Sequence, residues 1–322
     1  MQISNLAFDQ IIESTEASDV RHIEVIQSLW SDYGVLARVF LKGGKFDSVI
    51  VKDIDLSEKS SHPRNWNTNA SHLRKLRSYE VESNFYKNYN YLRIDNSYFP
   101  ELISNSFQKD KIILILEDLS TKGFSLNYNS QTHGNGNKIK LCLAWLAAFH
   151  AKGLNKAHDG LWDIGTYWHL DTREDEWKKM EEGPLKQNAR LIHDKLNSAK
   201  YKAIVHGDAK AANFLFDKDL TSVAAVDFQY VGKGCGIKDI VYFLGSVLFD
   251  DELEVKTEYY LKYYFEKLKE ELDISLADDL IAEWKYLYDY AVADFERFLL
   301  GWMPTHHKLN DYTRKVTENL IK

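Results

Sequence analysis

The chain has 322 residues, 44% of them hydrophobic, with 8 Trp, 19 Tyr and 16 Phe. It is too long for one hydrophobic core to keep growing and too apolar for general disorder, so two folded lobes are expected. A formal net charge of −7 speaks against a nucleic-acid binder, which carries a basic surplus, but not against a small anionic ligand held by a few lysines and helix termini.

The two cysteines, Cys142 and Cys235, are far apart and lack metal-ligand spacing, so no disulfide framework is expected. The N-terminal stretch shows no basic leader before an apolar run, and no run of about 18 apolar residues occurs. A cytoplasmic protein without a membrane span is expected.

Along the chain, residues 21–30 and 34–43 are β-rich runs, and 45–55 follows Gly43-Gly44 as a hairpin partner. The polar stretch 57–72 reads as a loop and 73–89 as a helix with Leu73, Leu76, Tyr79 or Glu80, Ser83 and Tyr86 at 3–4 spacing. Residues 111–120 form a continuous apolar strand, hence one buried on both faces, and 121–137 a connector. Composition then turns helical: 138–153, 174–196 broken at Gly183-Pro184, 238–249, about 251–272, 276–300, and a last short helix in 301–322. Strands with one helix, followed mostly by helices, give an α+β class in two lobes, 1–118 and 119–322.

Between the late helices lies VHGDAKAANFLF (205–216), followed by AAVDFQY (224–230). A buried strand would not carry so many ionisable groups. Asp208, Asn213 and Asp227 together suit a base plus two oxygen ligands for Mg²⁺, which keeps waters and takes few carboxylates. With a lysine on the phosphates, this is the set that phosphoryl transfer from ATP asks for. His206 is expected to hold its loop by hydrogen bonds and His150 to be a satisfied core histidine. The stretch 259–268 reads as core. Trp168, His169, Asp171 and Arg173 could equally face an acceptor or pack a loop. Aromatics there, or Trp302 and Tyr312, could hold a quaternary ammonium by cation–π contact.

His206-Gly207-Asp208, Asn213 and Asp227-Phe228-Gln229 resemble the catalytic loop and metal segment of the protein-kinase-like small-molecule phosphotransferases. That group includes aminoglycoside phosphotransferases, choline kinases and ecdysteroid-kinase-like proteins. The resemblance is strongest to the last of these and its bacterial relatives, and it extends to 114–124, 143–151, 162–173 and 226–246. It implies a two-lobed kinase-like fold, with an N-terminal antiparallel sheet and one helix before a larger helical lobe. It also implies ATP and Mg²⁺ as cofactors and a small-molecule hydroxyl as acceptor.

Residue by residue, the resemblance makes Asp208 the catalytic base, Lys210 a lysine near the transferred phosphate, and Asn213 and Asp227 the metal ligands. It makes Lys52 the phosphate-binding lysine and Glu82, with Glu80 as rival, its helix partner. Glu117 to Leu119 become the adenine-binding hinge, and Asp239 braces the catalytic loop. The family's glycine-rich loop is reduced here to Gly34, with Ser31 and backbone N–H groups left to cover the phosphates. Gln229 stands where protein kinases carry glycine, and their activation-loop signature is absent. The expected activity is transfer of the ATP γ-phosphate to a small-molecule hydroxyl. The rivals are a nucleotide-binding pseudokinase, a regulatory or structural interaction module and, more remotely, a protein kinase. Steroid, choline-like, sugar and aminoglycoside acceptors all fit this core, and oligomeric state is unreadable.

Overall fold

The structure is a computed structural model and describes residues 3–29, 33–56, 69–108, 110–128, 135–249 and 251–322. By contacts along the chain it divides into two compact units, Met1–Asn90 with Phe99–Ser125, and Tyr91–Tyr98 with Leu126–Lys322.

The first unit opens with a helix that the sequence reading did not anticipate. Ser4 is extended and its hydroxyl accepts the N–H of Ala7, capping α1 (Asn5–Thr15). Ala7, Ile11 and Thr15 recur every fourth residue and are buried. Five strands follow: β1 (Asp19–Ser28), β2 (Gly34–Lys42), β3 (Ser48–Asp55), β4 (Leu102–Gln108) and β5 (Lys111–Glu117). They form one antiparallel sheet in the order β1-β2-β3-β5-β4. Helix α2 (Asn69–Asn88) intervenes between β3 and β4, so the expected loop at 57–72 ends by residue 69; its residues 57–68 lie outside the described ones.

Strand alternation sorts the core into two layers. Val39, Leu41, Val49, Val51, Ile113 and Ile115 pack with Ala7 and Ile11 of α1. Ile54, Ile112 and Leu114 pack with Leu29, Tyr33 and Tyr79, the last from α2. The apolar run of β5 is therefore covered on both faces, as its composition demands. The missed strand β4 reads LISNSFQ and is half-exposed at the sheet edge, which explains its polar sequence. Of the expected face of α2, Tyr79, Ser83 and Tyr86 are buried while Leu73 is 62% exposed, and Glu82 and Phe85 join the buried side.

After β5 the chain turns tightly at Leu119–Lys122. Asp118, 2% exposed, anchors the turn. Its carboxylate accepts from Ser48 Oγ at 2.6 Å, Arg38 Nε at 2.8 Å, Ser120 Oγ at 2.7 Å and Ser120 N at 3.0 Å. Burial would raise its pKa, but the hydrogen bonds from Ser48 and Ser120 and the Arg38 charge hold it below the ordinary carboxylate value.

The second unit is mainly helical: α3 (Gly136–Lys152), α4 (Glu174–Lys179), α5 (Pro184–Asn197), α6 (Ile237–Val247), α7 (Asp251–Glu270), α8 (Ile274–Tyr286), α9 (Tyr288–Trp302) and α10 (Asp311–Leu320). The helix expected at 276–300 is two, parted at Leu287, where neither Gly nor Pro announces a break. Five short strands complete the unit: β6 (Leu126–Asn127), β7 (Ala203–Val205), β8 (Phe214–Phe216), β9 (Val223–Ala225) and β10 (Gly232–Gly234). β7 pairs with β10, and β6, β8 and β9 form a second small sheet. Cys142 and Cys235 are buried free thiols. Tyr260, Tyr264, Phe265 and Leu268 of the stretch 259–268 are core, while Tyr259 is exposed. Among the described residues no helix is long and apolar enough to cross a membrane.

Stability should report the anchor of the turn directly. Asp118→Asn is expected to cost about 2 kcal/mol at neutral pH, since it loses a buried charge-assisted network. A depressed folded pKa contributes stability above the unfolded value, and this is lost as pH falls through the folded one. Urea unfolding should therefore show the gap to wild type narrowing between about pH 5 and about pH 3; a gap independent of pH would mean Asp118 is not ionised in the fold.

Candidate active site

The first unit holds a buried ion pair. Lys52, central in β3, reaches Glu82 of α2, with Nζ to Oε1 at 2.5 Å and both side chains at most 8% exposed. Glu80 lies outward and pairs with Arg77 at 3.3 Å, so of the two candidates Glu82 is the partner. A pair this buried adds little net stability and makes each partner costly to remove alone. Gly34 stands at the start of β2 with φ +150, and a Cβ there would come within 1.9 Å of the Asp53 carbonyl oxygen. Close strand approach thus requires glycine at that point. Ser31 lies outside the described residues. In the turn after β5, the Asp118 carbonyl accepts from Thr121 N and the Leu119 carbonyl from Phe124 N. The turn's own bonds engage those two groups.

The second unit holds the rest. His206 follows the end of β7, and Gly207 comes next with φ +78, where a Cβ would lie 2.0 Å from the Tyr230 carbonyl oxygen. Only glycine fits this turn. Asp239, in the first turn of α6, accepts the N–H of His206 at 2.7 Å and of Gly207 at 2.9 Å. The same carboxylate takes His150 Nε2 at 3.1 Å, and His150 Nδ1 meets the Tyr264 hydroxyl at 2.8 Å. With Asp239 as carboxylate, His150 carries its proton on Nε2, so Nδ1 accepts from Tyr264. His150 is a satisfied core histidine, and it supports the loop from beneath.

His206 is fully buried, and burial presses its pKa down. Its Nδ1 accepts from Asp208 N at 3.3 Å and its Nε2 donates to Val226 O at 3.1 Å, so one neutral tautomer ties the Asp208 loop to the segment that carries Asp227. A second tie runs from Val226 N to Asn213 O at 2.9 Å. Asn213 Nδ2 donates to the Asp208 carbonyl at 2.8 Å and to Asp208 Oδ2 at 3.2 Å. Lys210 Nζ reaches Asp208 Oδ2 at 2.9 Å. Burial opposes the Lys210 charge, but Asp208 and then Asp227 raise its pKa above the ordinary lysine value. Asp227 itself adopts φ +69, a conformation rare outside glycine that persists where surroundings enforce it.

These four residues are thus brought together, and the oxygens of Asn213 and Asp227 are of the kind that suits a hard divalent cation. The Asn213 amide nitrogen is engaged by Asp208, which leaves Oδ1 as its free oxygen donor. Among the described residues no three His, Cys, Asp or Glu side chains cluster as a metal site. A cation here would therefore lean on phosphate oxygens as well, as Mg²⁺ does.

Residues 168–173 resolve toward packing. Trp168 is fully buried among Tyr242, Phe295, Phe298 and Leu299. Asp171 pairs with Arg190 at 2.7 Å and His193 at 3.1 Å, and Arg173 Nε donates to Tyr167 O at 2.7 Å. The sequence reading passed over their neighbour Tyr167 and also Tyr242. The Tyr242 hydroxyl is in hydrogen-bonding reach of both Tyr167 and Asp208; burial first, then Asp208, raises its pKa well above the ordinary phenol value. Tyr242 lies one turn after Asp239 on α6, and that spacing was the available signal.

The profile of the ecdysteroid kinase-like family matches residues 42–160 and 164–275. Among solved structures, an amicoumacin kinase in complex with AMP-PNP, Ca²⁺ and Ami superposes with a TM-score of 0.56 at 12% identity, over 92% of this chain and 86% of that one. A microcompartment-associated aminopropanol kinase gives 0.51 at 14% identity over 95% and 91%. The Plasmodium vivax ethanolamine kinase gives 0.50 at 12% identity over 92% and 81%. No curated protein matches the chain by sequence. The fold is that of the protein-kinase-like small-molecule kinases. Within that class the chain belongs to the ecdysteroid kinase-like family.

The Asp239 carboxylate carries three donors, so its removal should be severe. Asp239→Ala is expected to lower stability by about 3 kcal/mol, measured by urea unfolding. A loss below about 1 kcal/mol would mean that the loop holds itself.

Proposed function

We propose that the chain is an ATP- and Mg²⁺-dependent phosphotransferase that moves the γ-phosphate of ATP to a hydroxyl of a small molecule. The observation that carries this reading is the double tie between Val226 and the Asp208–Asn213 loop, one bond through His206 and one through Asn213 O. It sets a carboxylate base, a lysine and two oxygen donors on one small scaffold.

In this reading Asp208 orients the acceptor hydroxyl and takes its proton as the new bond forms. Lys210 keeps the loop charge balanced and attracts the transferred phosphate. Asn213 and Asp227 would hold Mg²⁺, which supplies charge neutralisation on the phosphate oxygens. Lys52, fixed by Glu82, is the phosphate-holding cation of the first unit. The Glu117 carbonyl and Leu119 N–H serve adenine, and backbone near Gly34 covers the phosphates. The family match and the kinase fold support phosphotransfer to a small molecule, and the residues above support the finer assignments.

ADP release from Mg·ATP across a panel of small hydroxyl compounds tests it. Asp208→Ala should lower acceptor-stimulated kcat by about 10²-fold or more. Asp227→Asn should abolish the stimulation. Mg·ATP binding with no turnover by wild type on any acceptor would instead favour a nucleotide-binding regulator, and a near-wild-type rate for Asp208→Ala would remove the base.

A further inference from the structure

The connection between α9 and α10 carries a lysine that neither the sequence motifs nor the family match reaches: Lys308 lies beyond residue 275, where the matched region ends. Its backbone is pinned. Lys308 N donates to His306 Nδ1 at 3.1 Å, and Asn310, which caps α10, donates from Nδ2 to Lys308 O at 3.4 Å. The side chain turns in toward the base. Its Nζ sits 4.4 Å from the centre of the Tyr242 ring and 5.8 Å from that of Phe295, and Tyr242 is the phenol in reach of Asp208.

Two features define what this ammonium does. Among the described residues no carboxylate or carbonyl accepts from Lys308 Nζ; its contacts are the two aromatic faces. Its surroundings hold one opposing charge, Asp208, and that carboxylate is already engaged by Lys210 and Asn213. Burial lowers the Lys308 pKa to about 8; Asp208 opposes the fall and Lys210 adds to it. The aromatic faces next to the base, which could otherwise hold a substrate ammonium by cation–π attraction, are thus occupied by the protein's own cation.

We propose that Lys308 is a specificity-determining residue of the acceptor site: it donates to an acceptor oxygen beside the reacting hydroxyl and turns away acceptors that carry an ammonium group there. The acceptor is then a neutral or acidic hydroxyl compound rather than an amino alcohol. This rests on the phosphotransferase reading above and narrows its substrate class. It also separates this chain from the aminopropanol and ethanolamine kinases whose fold it shares. A like charge at close range is a strong means of rejecting the wrong ligand.

The test is ADP release from Mg·ATP with skeleton-matched triplets: glycerate, glycerol and aminopropanediol; gluconate, glucose and glucosamine. Wild type, Lys308→Arg and Lys308→Met are compared, each first checked for an unchanged melting temperature. In wild type the acid or neutral member should exceed the amine by about tenfold or more, the size of a modest specificity difference. Lys308→Arg should keep that ratio and Lys308→Met should bring it under about threefold. An amine as the best acceptor of wild type, or a ratio unchanged in Lys308→Met, overturns the proposal. If every triplet is silent, ¹³C-dimethylated lysines give the answer by NMR, with the Lys308 signal identified by its loss in Lys308→Met. With Mg·ADP bound, that signal should move on adding glycerate or gluconate and stay in place with the amines; a signal unmoved by any of them overturns the proposal. A protein that binds no Mg·ATP fails the phosphotransferase reading itself, a result distinct from binding with the opposite charge preference.

Discussion

One carboxylate holds the chemistry of this molecule in shape. Asp239 receives two consecutive backbone N–H groups, from His206 and Gly207, and a buried imidazole besides. Consecutive N–H groups point the same way only when the backbone turns sharply, and Gly207 supplies that turn. Everything downstream inherits its direction from this point: the aim of Asp208, the position of Asn213 and the tie to Val226. Burying a charge is costly unless its hydrogen-bonding capacity is filled, and here three donors fill it. The arrangement is rigid because each partner of Asp239 is itself fixed, His150 by Tyr264 and His206 by Val226.

Much of this was legible in the sequence because the site is local. Asp208, Lys210 and Asn213 lie within six residues, and Asp227 follows one hairpin later, so spacing alone brings them close. Lys52 and Glu82 were legible only through the family resemblance, since alone they read as an ordinary strand lysine and a solvated helix glutamate. The choice between Glu80 and Glu82 was not legible, since both fall within one helical turn and only the rotation of α2 against β3 decides. Asp118 was passed over because its partners Arg38 and Ser48 come from two other strands. Tyr167, Tyr242 and Lys308 escaped for the same reason at longer range. They are ordinary residue types on separate elements, and only tertiary packing brings them near Asp208. The elements misread follow one pattern as well. The strand β4 is polar because it is an edge, α1 is short and weakly patterned, and the parting at Leu287 has no residue that marks it.

Charge around Asp208 is balanced by design of the chain rather than by solvent. Lys210 faces Asp208 and Asp227, and Lys308 faces Asp208, in a partly buried setting. Such a site is close to neutral before any ligand arrives, so the charge of what enters matters more than it would at a surface. The phenols of Tyr167 and Tyr242, both raised above the ordinary range chiefly by burial, stay protonated. The surroundings of Asp208 therefore offer donors, and its carboxylate is their acceptor.

The helix α1 has a consequence for how the chain is made. β5 reads KIILILE, seven residues with no proline and strong β character, the kind of segment that pairs with copies of itself when left bare. Synthesis runs from the N-terminus, so α1 and the hairpins of β1 to β3 leave the ribosome well before β5 does. A ready sheet edge on β3 and an apolar helix face are then waiting when the strand emerges. The helix α1 thus supplies, ahead of β5, an apolar face against which Ile113 and Ile115 pack in the finished fold.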